Sequence, residues 1–143
     1  GDMAKVRGLL LPFVERDEAG PSEWNFLAFS LADANVDVEL AASLAQRALV
    51  ARPMAGYIVD TVGWTQFRQG KLSQAVTTLQ RANRLSPREP EILFHLATAL
   101  HAAGDDAQAQ GHLQAAKLTP GTPAKLQERI DQLWQQLSTT PPT

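Results

Sequence analysis

Tyr57, then Asp60 and Thr61, then Trp64, then Arg68 lie at helical steps of three and four, with Phe67 on the same stripe. A helix through them carries rings, an acid, a base and a hydroxyl on one stripe. This is recognition chemistry: rings give contact area at low entropic cost, and the polar groups fix the register of a bound chain. Similar residue types recur upstream in Asn25, Phe26, Phe29 and Asp33, and downstream in Phe94, His95, Thr98 and His101. The candidate binding residues are therefore Asn25, Phe29, Asp33, Tyr57, Asp60, Thr61, Trp64, Arg68 and His95, while Phe67 and Phe26 are expected to fill space between helices. Reaction chemistry is missing from the pattern. His95, His101 and His112 pair at no three- or four-residue step with one another, which argues against a metal site. No nucleophile elbow, phosphate loop or paired-carboxylate motif occurs. The expectation is a non-catalytic module with no metal and no cofactor.

The elements that must position these residues repeat at a constant interval. Ala41, Ala75 and Ala109 lie 34 residues apart, as do Ala48, Ala82 and Ala116, and Ala45, Leu79 and Leu113 keep the same register. Pro53 and Pro87 close two units, and Gly70 and Gly104 sit at two inter-helix turns. A fixed interval of this length marks stacked helix pairs, none of which is stable alone. The first helices run from Ser22 as N-cap to about Asp33, from Gly56 to Gln69, and from Pro90 to Ala103. The second helices run from Val38, capped by Asp37, to Arg52, from Gln74, capped by Ser73, to Leu85, and from Asp105 or Asp106 as cap to Leu118. A last helix starts at Thr122 with Pro123 in its first turn and reaches Leu137, and its apolar stripe of Leu126, Ile130, Leu133, Trp134 and Leu137 suits a capping helix. Small residues at Ala28, Gly63 and Ala97 let neighbouring axes approach, and Leu79, Leu85, Leu113 and Leu118 are expected to fill the layers between them.

The best copy of the pattern, V-G-W-T-Q-F-R-Q-G-K-L-S-Q-A-V-T-T-L-Q-R-A-N-R-L-S-P from Val62 to Pro87, resembles the tetratricopeptide repeat, with Gly63, Gly70, Ala75, Ala82 and Pro87 at signature positions. The resemblance implies an all-α solenoid of about three helix-turn-helix repeats. Its units are a leading helix of a truncated preceding repeat over 3–19, repeats over 22–53, 54–87 and 88–121, a C-terminal capping helix over 122–138 and a disordered tail over 139–143. The first unit has Val36 where the turn glycine belongs and one extra residue there, so Asn35 is expected to supply the left-handed conformation. The family curves so that first helices line a concave groove, which makes the stripe above a peptide-binding groove and the function that of a protein-binding scaffold. Chaperone-binding members clamp a terminal carboxylate with bases on these helices; Asp60 stands where such a base belongs, so an acidic C-terminal peptide is disfavoured. The strings N-F-L-A-F-S-L-A-D and Y-I-V-D-T-V-G-W are similar to those of bacterial multi-repeat proteins tied to the envelope and to polysaccharide export, which implies a periplasmic or outer-membrane-associated setting as part of a longer chain, with cytoplasm as the alternative.

Composition narrows the partner. The 143 residues carry 13 Lys plus Arg against 15 Asp plus Glu, a net charge of −2 that lacks the basic excess needed for nucleic acid. No apolar run is long enough to insert into a bilayer, and the absence of cysteine excludes disulfides and thiolate chemistry. Charge is uneven: seven acids against Arg16 lie between Glu15 and Glu39, and six bases against Asp60 between Arg52 and Arg88. A solvated convex face explains this, and steering of a partner or head-to-tail contact between copies is the alternative. The competing functional expectation is a structural segment for spacing or self-association. It would form homo-oligomers through end helices that expose Leu9, Leu10 and Phe13 on one side and Trp134 and Leu137 on the other.

Overall fold

A computed structural model describes residues 4, 5, 7, 8, 11, 12 and 19–139. Within 19–139 the chain forms α1 (Pro21–Ala34), α2 (Val38–Ala51), α3 (Gly56–Arg68), α4 (Leu72–Leu85), α5 (Pro90–Ala102), α6 (Asp106–Lys117) and α7 (Ala124–Thr139). α1, α3 and α5 are the first helices of successive pairs; each packs on its own partner, and α3 and α5 also pack on both helices of the pair before. The fold is all-α, an open solenoid whose last pair is covered by α7.

The three intra-pair turns share one device. Asn35, Gly70 and Gly104 adopt φ of 56°, 80° and 88°, and the next residue's N–H reaches back five residues, Val36 to Leu31 O at 2.9 Å, Lys71 to Gln66 O at 3.0 Å and Asp105 to Leu100 O at 2.8 Å. This left-handed cap satisfies the orphan carbonyls at a helix end, and asparagine is the non-glycine residue best able to adopt it. Asn35 thus does in the first pair what glycine does in the others. The extra residue there is absorbed by Asp37, also left-handed at φ 46°.

Several helix starts differ from the sequence expectation. α1 begins at Pro21, with Gly20 as N-cap and its N–H donating to Glu23 Oε2 at 3.0 Å, so Ser22 is inside the helix. Proline fits the first helical position and Glu23 closes the cap, which leaves Ser22 nothing to satisfy. Ser73 is likewise inside α4, after Lys71 as N-cap, and Asp37 precedes α2 without a capping side-chain bond because its carboxylate pairs with Arg7. Asp105 does cap α6, accepting Gln108 N–H at 3.1 Å. Pro123 stands just before α7, its carbonyl accepting Gln127 N–H at 2.9 Å, and α7 runs through Thr139.

The register alanines, Ala41, Ala75, Ala109, Ala48, Ala82 and Ala116, are all fully buried, as are Ala45, Leu79 and Leu113. At Gly63 an added Cβ would lie 2.6 Å from Leu79 Cγ; only hydrogen fits there between α3 and α4. Leu118 does not fill a layer: it is 74 % exposed, at the end of α6 beyond the last contact, and Leu85 is only partly buried. Nor do Trp134 and Leu137 form an open end. Leu137 is buried in the α5–α6 core and Trp134 lies half-buried with Lys117 Nζ 4.4 Å from its ring centroid. Leu9, Leu10 and Phe13 lie outside the described residues, as do 140–143; of the leading segment, Leu11 packs against the α1–α2 core.

Candidate functional site: a bridged concave seam

First helices that pack side by side bring the predicted stripe residues together, though not as an open groove. Trp64 is 1 % exposed. Its ring is stacked between Phe67, at 4.9 Å and 11°, and His95, at 4.1 Å and 20°, with the Arg68 guanidinium 4.9 Å from its centroid. Its indole N–H donates to Asp33 Oδ1 at 3.2 Å. The expectation that Phe26 is core and Trp64 a groove ring is inverted, because Phe26 is 59 % exposed. The reason is position in the array: Trp64 has first helices on both sides, whereas Phe26 is on the outer side of the first described pair.

Beneath the tryptophan lies a buried polar pair. His95 is fully buried and its Nδ1 faces both Asp60 oxygens, at 2.8 and 3.1 Å. Since an ionised carboxylate only accepts, Nδ1 carries the hydrogen, and Nε2 is buried without a hydrogen-bond partner among the described residues. Phe29 and Phe94 tilt against the imidazole, each at 5.9 Å. Asp60 is 5 % exposed and engaged with His95.

Arg68 and Asp33 form the next layer. Arg68 donates from Nε to Ala32 O at 2.8 Å and from Nη2 to Asp33 O at 3.0 Å, so the last carbonyls of α1 are capped by a cation from α3. Burial lowers the Arg68 pKa, Asp33 opposing and the nearby positive Arg129 adding to the shift. Arg129, on α7, grips the Asp33 carboxylate with both terminal nitrogens, Nη2 to Oδ1 at 3.1 Å and Nη1 to Oδ2 at 3.3 Å, and lies 4.9 Å from the Phe94 ring centroid. Among the described residues α1 and α7 share no close backbone approach, and this ion pair spans the concave side.

At the rim, Asn25 and Phe29 are half-buried and Tyr57 is 46 % exposed, its hydroxyl accepting from Arg52 Nη1 at 2.8 Å. Thr61 is buried and bonded to its own helix, at Tyr57 O, and so is not a surface group. Two shallow cavities flank the bridge: one of about 300 Å³, lined by Tyr57, Asp60, Ser86, Glu89, Glu91 and Ile92, and one of about 230 Å³, lined by Phe94, Thr98, Arg129, Gln132, Leu133 and Gln136. Burial raises the Glu91 carboxyl, His95 and Arg129 pulling it down and Asp60 and Asp33 pushing it up. Sequence reasoning missed Arg129 and Glu91. Arg129 falls 34 residues after His95, so extending the repeat register into α7 would have found it.

The sequence profile described as "Tetratricopeptide repeat" matches residues 66–127. No curated protein matches the chain. Among solved structures, TTC0263, a thermophilic TPR protein of Thermus thermophilus, superposes with a TM-score of 0.78 at 16% identity over 94% of this chain and 74% of that one. The type III secretion chaperone SycD of Yersinia enterocolitica, in complex with a peptide of the translocator YopD, gives a TM-score of 0.67 at 19% identity over 82% of this chain and 91% of that one. The TPR2B domain of yeast Sti1 in its pHsp70 complex gives 0.69 at 19% identity, over 82% and 95% of the two chains. The repeat profile over 66–127, the three left-handed turns and these superpositions agree: residues 66–127 carry the tetratricopeptide repeat, and the chain folds as an all-α solenoid of that kind.

Proposed function

We propose that the chain is a non-catalytic scaffold that binds an extended segment of another protein on its concave side. The observation that carries this reading is the mixed rim of Asn25, Phe29, Asp33, Tyr57 and Arg68, partly exposed and set on a rigid floor of Trp64, Asp60 and His95. A rigid floor lowers the ordering cost of binding, and rings beside charged groups give both area and register. Thr61, Asp60, Trp64 and His95 support the rim and do not themselves touch the ligand. The chaperone SycD and the Sti1 domain were solved with peptide partners on the same fold, which supports a protein ligand here without identifying it.

A photo-crosslinking amino acid placed at Tyr57 or Phe29, and at Val50 on a second helix as control, tests the reading in cell extract. Val50 is 76 % and Tyr57 46 % exposed, so these two sites tolerate the replacement better than any core position, and circular dichroism checks the fold of the Phe29 variant. One protein captured from positions 57 and 29 but not from 50 is the expected result. Equal capture from 50, or capture from 50 alone, refutes concave binding.

A further inference from the structure

The chain passes from one helix pair to the next at Pro53-Met54 and Pro87-Arg88, and into α7 at Pro120-Gly121, all on the edge opposite the intra-pair turns. The last two turns share a left-handed second residue, Gly121 at φ 80° and Arg88 at φ 67°. Glycine holds that conformation without a steric penalty, whereas an arginine there is strained. The turn itself therefore calls for no side chain at 88, yet it carries an exposed guanidinium. Arg81 and Arg84, one step of three apart in the second half of α4, are exposed as well. Arg81 Nη2 donates to Pro53 O at 3.0 Å and lies 3.8 Å from Met54 Sδ, which ties α4 to the preceding turn, and Met54 is 67 % exposed. These partners of Arg81 are neutral, and among the described residues no carboxylate forms an ion pair with Arg81, Arg84 or Arg88. Glu89 and Glu91, the acids that follow, line the rim cavity beside Tyr57.

We propose that this edge, formed by Met54, Arg81, Arg84 and Arg88, is a second docking surface, separate from the concave rim, for an acidic segment of a partner protein with an apolar residue among its carboxylates. Charge complementarity names the occupant. Three guanidiniums without an ion-pair partner stand on the edge that also exposes the Met54 thioether, and each offers a planar fork that fits a carboxylate with two hydrogen bonds. Arginine and methionine are also residues that protein interfaces favour. Complementing the C-terminus of α4 accounts for Arg84 alone, because Arg81 is turned to Pro53 and Arg88 lies beyond the helix. A nucleic acid fits less well: the chain carries a net charge of −2, and Met54 offers apolar contact that a phosphate backbone leaves unused.

The test titrates the intact chain with a labelled 12-residue peptide of Asp and Glu around one central Leu. A twin with Asn and Gln in place of every acid is the control, and a 12-base-pair DNA duplex represents other polyanions. Fluorescence anisotropy in dilute buffer is expected to show the acidic peptide bound at least tenfold more tightly than its twin or the duplex. Arg88→Gly weakens that binding threefold or more while Tm stays level or rises, since the left-handed backbone is relieved. Combining it with Arg84→Gln weakens binding tenfold or more. Lys71→Gln removes an exposed positive charge at an intra-pair turn, and Tyr57→Ala alters the concave rim; both leave the affinity within twofold, which separates this surface from net charge and from the rim. Equal binding of the amide twin, equal or tighter binding of the duplex, or a loss with Lys71→Gln as large as with Arg88→Gly overturns the proposal. So does sedimentation showing a dimer that Arg84→Gln dissociates, since the acidic occupant is then a second copy of the chain.

Discussion

Replacing Asp33 separates two tasks performed by one carboxylate. It accepts the indole N–H of Trp64 at 3.2 Å, and it holds Arg129 at 3.1 and 3.3 Å. The indole is in a ring 1 % exposed and has no water to turn to, so losing its acceptor costs about 1–3 kcal/mol. The ion pair has side chains 37% and 32% exposed, and solvent screening holds its contribution to about 1 kcal/mol or less. Asp33→Ala therefore costs about 1–4 kcal/mol, the sum of both losses. Asp33→Asn keeps an oxygen for Trp64 and costs roughly 1 kcal/mol, close to Arg129→Gln. Urea unfolding followed by circular dichroism measures the series, each kcal/mol corresponding to about 3 °C in Tm for a chain of this size. Salt discriminates further: at roughly 0.5 M the Asn and Gln variants approach the wild type, while the Ala variant does not. If Asp33→Asn is as costly as Asp33→Ala, the indole bond has no energetic role and the reasoning fails.

Gly63→Ala drives a methyl to 2.6 Å from Leu79 Cγ in a fully buried layer, and a loss of about 1–3 kcal/mol by the same denaturation assay is expected; a neutral result means that α3 and α4 separate freely. Glu91 has a folded pKa raised above its ordinary 4.5 by burial, so its contribution to stability is present below that value and is lost as pH rises through the folded one. Glu91→Gln accordingly raises Tm near pH 7 and loses that advantage near about pH 4; an advantage constant across this range would show that desolvation of the charge is not its source.

The repeat architecture was legible because its markers are local. Alanines at fixed offsets, turn glycines and closing prolines each act within a few residues, and Asn35 could be named as a left-handed substitute from chain geometry alone. The site was legible only in membership. Asp33, Asp60, Trp64, Arg68 and His95 do converge, yet which of them is buried depends on how far the solenoid curls and on where a helix stands in the array. Helical spacing reads the same for Phe26 and Thr61, although one is at an edge and the other between two helices. The Asp60–His95 pair joins residues 35 apart on different helices, and no periodicity within one helix can reveal such a contact. The start of α1 shifted because Pro21 fits the first helical position and Glu23 closes the cap at Gly20.

A stack of helix pairs is ordinarily a spring: each layer touches only the next, so small rotations accumulate and the ends move independently. Arg129 and Asp33, 96 residues apart, tie one end of this spring to the other. Pitch and opening are then no longer free, and a stretch applied anywhere along the array is felt at the knot. Because the knot is made of two partly solvated charges, its stiffness is set by the medium: taut in dilute buffer, slack in brine.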